Sequence, residues 1–439
     1  MSRGTASRTA RPVTPTPAAP APAASTPAGG HGHGGGIAGI LHQPKAVWAV
    51  AFASVIAFMG IGLVDPILPA IAEDLQATPT QAEMLFTSYL LVTGVAMLFT
   101  SWLSSRIGAK RTLLIGLALV VVFALLAGLS DSVGAVIGFR AGWGLGNALF
   151  ISTALATIVG AASGGRANAI ILYEAALGLG IAIGPLLGGL LGGIGWKWPF
   201  FGTATLMAVG FIAIVVLLKT EGPKPVPLKL SAPFKALAIP SLGILAAAAL
   251  FYNIGFFTLL AYSPFPLGLD AMGLGFTFFG WGVALAITSV FVAPLLTARM
   301  RRTSVIKLVL PLLALDLVAA GLLVQSTTGL IVCIVVGGLL LGVMNTVLTE
   351  SVMEATDLPS NVASSAYSSV RFLGGAIAPP AAAEIAKLLS PAAPYYVAAG
   401  SLIVAVLIVV LGRKHLARVD GPVESELDEA IAITAADAS

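Results

Sequence analysis

The stretch IAIGPLLGGLLGGIGWKW, Ile181 to Trp198, decides how this chain is read. It is apolar enough for a bilayer, yet it is crowded with glycine and carries a proline, the two poorest helix formers. Gly180, Gly184, Gly188 and Gly192 recur every four residues and therefore share one helix face. Small residues at that spacing let another backbone approach closely, in a solvent where helices associate through packing. Pro185 removes one backbone hydrogen bond and bends the helix nearby. Spacing alone leaves two uses open: a static glycine zipper, or a face that packs in one state and slides or separates in another.

The surroundings of the stretch are as apolar as its interior. The 439 residues are 57% hydrophobic and only 10% charged, against about 25% charged for soluble domains. Apolar segments near the ~20 residues needed to cross a bilayer recur from Lys45 onward. They fall at about 46–72, 80–103, 112–130, 133–159, 168–193 and 199–218, then at about 240–263, 271–297, 305–325, 328–351, 363–388 and 393–412. The spacing predicts an all-α integral membrane protein of twelve transmembrane helices in two pseudo-symmetric six-helix bundles, 45–218 and 240–412. A cytoplasmic linker, 219–239, joins them, and tails 1–44 and 413–439 flank them. Residues 1–36, rich in Ala, Pro, Thr and Gly, hold no apolar run and read as a disordered tail, neither signal peptide nor span. His31 and His33 in that tail could hold a metal loosely, but a flexible tail is the plainer reading, and no metal site is expected. The single cysteine, Cys333, excludes an intramolecular disulfide and any Cys-based zinc site.

The net charge of +4 is a matter of topology rather than of a nucleic-acid partner. With both termini cytoplasmic, nineteen Lys and Arg fall on that side and only Lys197 and Lys387 on the other, while Arg140 and Arg371 lie inside spans. A shift of about 194 residues lays the first six spans on the second six and carries Gly180, Gly184 and Pro185 onto Gly374, Ala378 and Pro379. A parallel repeat of six-helix bundles is a transporter architecture with its substrate site at mid-membrane between the halves.

These residues resemble a known family. GLGIAIGPLLGG, Gly178 to Gly189, is similar to the antiporter motif GxxxGPxxGG of the major facilitator superfamily through Gly180, Gly184, Pro185, Gly188 and Gly189. SWLSSRIGAKR, Ser101 to Arg111, resembles the signature GxLaDRxGrkR of the loop after the second span, through Arg106, Gly108, Lys110 and Arg111. FRAGWGLG, Phe139 to Gly146, is similar to the fourth-span signature RxxqG, and GLVDPILPAIAEDL, Gly62 to Leu75, to the first-span ending of twelve-span drug:proton antiporters. The resemblance implies the major facilitator fold, export rather than import, and a cytoplasmic gate at the Arg106–Arg111 loop. The sequence departs from the pattern at Ser105, where the family carries an Asp that latches the cytoplasmic side, and at Trp143, where it often has Gln.

No GxxxxGK[ST] phosphate loop occurs, so an ion gradient is the expected energy source, with no cofactor. Ionisable residues within spans are costly enough to be suspected of function. Asp65 and Arg140 lie at similar depth, about seven residues from the outer ends of the first and fourth spans, and either form a structural ion pair or carry the coupling proton. Glu174 is the second candidate, as a cytoplasmic-side relay, a substrate counter-charge or a residue snorkelling to the interface. Asp316 sits deep in a span that the resemblance makes peripheral. Tyr252, Asn253 and Phe256 of the seventh span, Tyr89 and Trp143 of the other half, and Arg371 are the candidate substrate pocket. Such a pocket takes lipophilic, often cationic compounds by area and cation–π attraction, with Arg371 able to draw an anionic group or pair with a carboxylate. The expected protein is a proton-coupled exporter of hydrophobic or drug-like small molecules, monomeric in a plasma membrane, bacterial by its Ala- and Gly-rich composition. A proton symporter for a metabolite, and a membrane sensor or enzyme that does not transport, are the alternatives. The GPxxGG face opposes the first, and the absence of HExxH, GxSxG or a soluble signalling domain opposes the second.

Overall fold

The computed structural model describes Met1 and residues 43–163, 165–219 and 227–420. The tail with His31 and His33, linker residues 220–226 with Glu221 and Lys224, and residues 421–439 lie outside the described residues, as do the side chains of Asp65, Glu83 and Arg166. The described residues are helical and hold no strand. The long helices are α1 (Lys45–Gly62), α2 (Pro79–Ile107), α3 (Ala109–Gly128), α4 (Val133–Ala161), α5 (Gly165–Gly192) and α6 (Trp198–Leu217). They continue as α7 (Pro240–Phe257), α8 (Ala271–Ile287), α9 (Arg302–Leu322), α10 (Thr327–Glu354), α11 (Ser360–Leu388) and α12 (Ala393–Leu411).

Among the described residues, eleven helical segments are long and apolar enough to cross a membrane. The helix that falls short is α11, whose 29 residues include the polar run SSAYSSVRF. Ser364, Ser365, Ser368, Ser369 and Arg371 are all buried, so this helix turns its polar face to protein rather than lipid. Helix pairing repeats between the halves. In the first half α1 packs on α4, α5 and α6, α2 on α4, and α3 on α4 and α6; in the second, α7 on α10, α11 and α12, α8 on α10, and α9 on α10 and α12. Close backbone approaches repeat too: the Val55 carbonyl closes on Gly180 as the Leu250 carbonyl does on Gly374.

Three spans differ from their expected continuity. The first ends at Gly62, and a short 3-10 turn, Asp65–Ile67, leads into a separate helix, Leu68–Asp74. Pro66 lacks an N–H, so the regular ladder of the first span loses a donor there. The seventh and eighth spans end in π-helical turns, Thr258–Tyr262 and Thr288–Val292, just ahead of Pro264 and Pro294, which a regular ladder could not accommodate without a missing bond.

Candidate functional site: a closed centre between two halves

Two seams join the halves: α5 against α8 and α2 against α11. Along the first, Gly178 meets Leu285 and Ala286, Ala182 meets Gly282, and a Cβ on Gly275 would lie 3.2 Å from the Pro185 carbonyl. The glycine face of α5 points elsewhere. Gly180, Gly184, Gly188 and Gly192 abut Val55, Met59, Leu63 and Ile67, and a Cβ on Gly184 would stand 2.5 Å from the Met59 carbonyl oxygen. Pro185 packs on Gly62, and Gly189 is buried. The small-residue face thus binds α5 to α1 within one half, and the seam between halves uses the adjacent face.

Between the halves lies a cavity of about 10 Å³, lined by Phe58 and Ile61 of α1, Ile181 of α5, Asn253, Phe256 and Phe257 of α7, and Arg371 and Phe372 of α11. That is room for roughly one water. Larger clefts of about 940 Å³, beside Lys45, Ser105 and Lys219, and about 610 Å³, beside Glu73 and Trp196, open at the two ends of the bundle and share no lining residue with it. Of the expected pocket residues, Asn253, Phe256 and Arg371 line the cavity, as does the adjoining Phe257 of the same aromatic run; Phe58, Ile61, Ile181 and Phe372 were not legible as lining.

Tyr89 and Trp143 do other work. Arg140 is fully buried, its guanidinium 4.4 Å above the Tyr89 ring and 4.7 Å above that of Trp143. Its Nη1 donates to the Gly60 carbonyl at 3.1 Å and its Nε reaches the Leu85 carbonyl at 3.5 Å. Asn147 donates to the Tyr89 hydroxyl, and Trp143 stands edge-on to Tyr89 and Phe200. One cation therefore ties α1, α2 and α4 together, at the end of α1 that precedes Asp65.

A second polar cluster spans both halves. Glu174 of α5 is fully buried, and its Oε1 accepts from the Thr349 hydroxyl of α10 at 2.8 Å, while its Oε2 has no hydrogen-bond partner. Tyr173, Tyr252, Tyr367 and Arg371 lie within electrostatic reach of this carboxyl. Tyr252 donates to Asn345 Oδ1 at 2.6 Å. Thr349, Tyr367 and Asn345 are members of this cluster that the sequence did not single out, since nothing in a helical pattern says which polar residue meets a carboxylate from the other half. Asp316 is buried between α9 and α10, its Oδ2 unpartnered beside Gly337.

At the end of the bundle rich in Lys and Arg, Gly108 separates α2 from α3 with φ +88°, a conformation only glycine adopts freely. Lys110 donates to the carbonyls of Val215, at 3.0 Å, and Leu218, satisfying the end of α6. Arg106 lies 5.4 Å over the Trp102 ring, and Arg111 is exposed. Ser105 Oγ donates to the Trp102 carbonyl and accepts the Leu228 N–H at 2.9 Å, so where the motif has a carboxylate this chain pins its inter-bundle linker with a neutral hydrogen bond.

A sequence model of the Major Facilitator Superfamily matches residues 50–379. The chain is 54% identical over 383 residues to a multidrug efflux protein, YfmO, of Bacillus subtilis (strain 168), covering 86% of this chain and 96% of the relative. It is 31% identical over 192 residues to a tetracenomycin C resistance and export protein of Streptomyces glaucescens, covering 41% of this chain and 36% of that one. Among solved structures, the human organic anion transporter MFSD10 (TETRAN) superimposes with a TM-score of 0.71 at 17% identity, over 83% of this chain and 99% of that one, a likeness of fold alone. The repeated helix pairing, the closed centre and these matches together make the chain a member of the major facilitator superfamily.

Proposed function

We propose that the protein exports hydrophobic, drug-like small molecules across the cell membrane, in exchange for protons and by alternating access. The observation that carries this reading is the central cavity: apolar, lined by both halves, closed on either side and flanked by buried ionisable groups. The bundles 45–218 and 240–412 would rock about it, with the Lys- and Arg-rich end, both termini and the linker 219–239 in the cytoplasm. The similarity to a multidrug efflux protein supports the outward direction. Asp65 is the proposed proton carrier, set one short turn beyond the α1 end that Arg140 holds, and Glu174 the relay on the cytoplasmic side. A proton entering down 100 mV carries about 2.3 kcal/mol, enough for roughly a fifty-fold gradient of a neutral substrate. No bound cofactor is required by this scheme, and a monomer suffices.

The test uses inside-out vesicles energised to an acidic, positive interior. A panel of lipophilic dyes of both charges is added, and dye accumulation and interior pH are followed together. Accumulation with proton release, abolished by Asp65→Asn and weakened by Glu174→Gln at equal membrane expression, is the expected result. Accumulation that leaves interior pH untouched would overturn the coupling, and none across the panel would overturn export.

A further inference from the structure

We infer that the preferred substrates are amphipathic anions: an apolar, aromatic body bearing an acidic group that Arg371 receives. The inference rests on the export reading and names the substrate class of the same central site.

Among the described residues, Arg371 is the only charged one lining the cavity; the rest of the wall is phenylalanine, isoleucine and Asn253. No carboxylate stands within ion-pair distance of it among the described residues. Glu174, the carboxylate closest in effect, is instead held by Thr349 and is not part of the lining. The other groups that feel the Arg371 charge are the phenols of Tyr173, Tyr252 and Tyr367. The contrast with Arg140 is direct. That cation is held between two rings and two carbonyls and lines none of the three cavities described above, so it is engaged inside one bundle.

The cavity also holds an unmet acceptor. Asn253 donates its amide N–H to the Ala249 carbonyl at 3.0 Å, which fixes which way the amide points, and its buried Oδ1 has no partner. A charged donor fork and a free acceptor, set among aromatic rings, match an acid that also carries an N–H or O–H. Arginine suits a planar or tetrahedral oxyanion better than any other side chain because its N–H groups can bind two oxygens at once. A lipophilic cation entering the same space would meet a like charge in a poorly solvated wall, where repulsion is only weakly screened. The membrane favours the same class: an interior-negative potential of 100 mV by itself drives a monovalent anion outward to about a fifty-fold ratio.

Three fluorescent probes in the inside-out vesicles separate the possibilities. They are 1-anilinonaphthalene-8-sulfonate, its uncharged parent N-phenyl-1-naphthylamine, and the cation ethidium, each given to vesicles carrying the full chain. The sulfonate is expected to accumulate at least tenfold faster than ethidium. Arg371→Gln should lower the ratio of sulfonate to neutral-probe uptake at least tenfold, while Arg371→Lys retains part of the sulfonate preference. Equal or faster ethidium uptake by the wild type, a comparison that needs no variant to fold, overturns the anion assignment and leaves export standing. So does sulfonate transport unchanged in Arg371→Gln. If nothing in this set or the wider dye panel moves, export itself falls and this inference with it.

Discussion

At the scale of single residues, the first half is organised by the wrapping of Arg140. A buried cation without hydrogen bonds would be severely destabilising; here two carbonyls and two ring faces receive it. Lysine keeps the charge but loses the planar fork and the stacking. Arg140→Lys is therefore expected to destabilise the protein by about 2 kcal/mol, the scale of one charged hydrogen bond, and to cut dye export at least tenfold. Tyr89→Phe keeps the ring and removes only the contact with Asn147, so about 1 kcal/mol is expected. Thermal unfolding in detergent and vesicle uptake check both. The sequence marked Arg140, Tyr89 and Trp143 as unusual within spans, but an aromatic side chain reads alike whether it lines a cavity or seals a cation. Only the convergence of α1, α2 and α4 tells them apart. Ser105 shows the same limit from the other side: its departure from the loop motif was plain, while its partner Leu228 lies 123 residues away. Ser105→Ala should free the linker by about 1 kcal/mol, seen as roughly fivefold faster tryptic cutting at Lys229 in folded protein.

Among elements, α5 was legible in its bounds and its small-residue face, but not in the identity of the helix beneath that face. Its two glycine-lined contacts make opposite predictions. Gly184 faces a backbone carbonyl of α1 that has no freedom to retreat, so Gly184→Ala is expected to destabilise the first bundle by about 1–3 kcal/mol, as overpacking does. Gly282 faces Ala182 across the seam between halves. Gly282→Ala should leave unfolding of each bundle nearly unchanged but shift the protein away from the state with α5 and α8 in contact. Crosslinking yield between cysteines placed at Ala182 neighbours on α5 and α8 would fall, with export altered and the melting curve kept. The helix hardest to read was α11, where inward serines dilute the hydropathy that marks a span, and the breaks near Pro66, Pro264 and Pro294 were hidden inside apolar runs.

On the scale of the whole molecule, basic-residue placement and the internal shift of about 194 residues made the two-bundle plan legible, because bilayer thickness and duplication leave long-range marks in a sequence. What they did not mark is how residues 417–420 fold back. Asp420 receives the Thr303 N–H at 3.0 Å at the start of α9, Arg302 reaches Glu350 at 3.3 Å and the Val419 carbonyl at 3.3 Å, and Arg418 pairs with Asp357 in the loop before α11. The Arg418 guanidinium holds the exposed Asp357 carboxyl below the usual carboxylate range. A depressed value means that this pair supports docking at neutral pH, keeps doing so above about pH 4, and fails as pH drops through the lowered value. Docking of residues 417–420, followed by a fluorophore at the C-terminal end, should be level from pH 8 to 5 and fall below pH 4. It should also weaken with salt, since the pair is exposed.

The closed centre has a consequence for a cell at rest. Proton conduction needs an unbroken file of waters or exchangeable groups, and a void with room for about one water, walled mostly by phenylalanine and isoleucine beside Asn253 and Arg371, is too small to hold such a file. An idle copy in this conformation is expected to insulate, which a proton-leak measurement on vesicles without substrate would check. The protein can then stand in the membrane in large numbers between exposures without short-circuiting the gradient on which the rest of the cell runs.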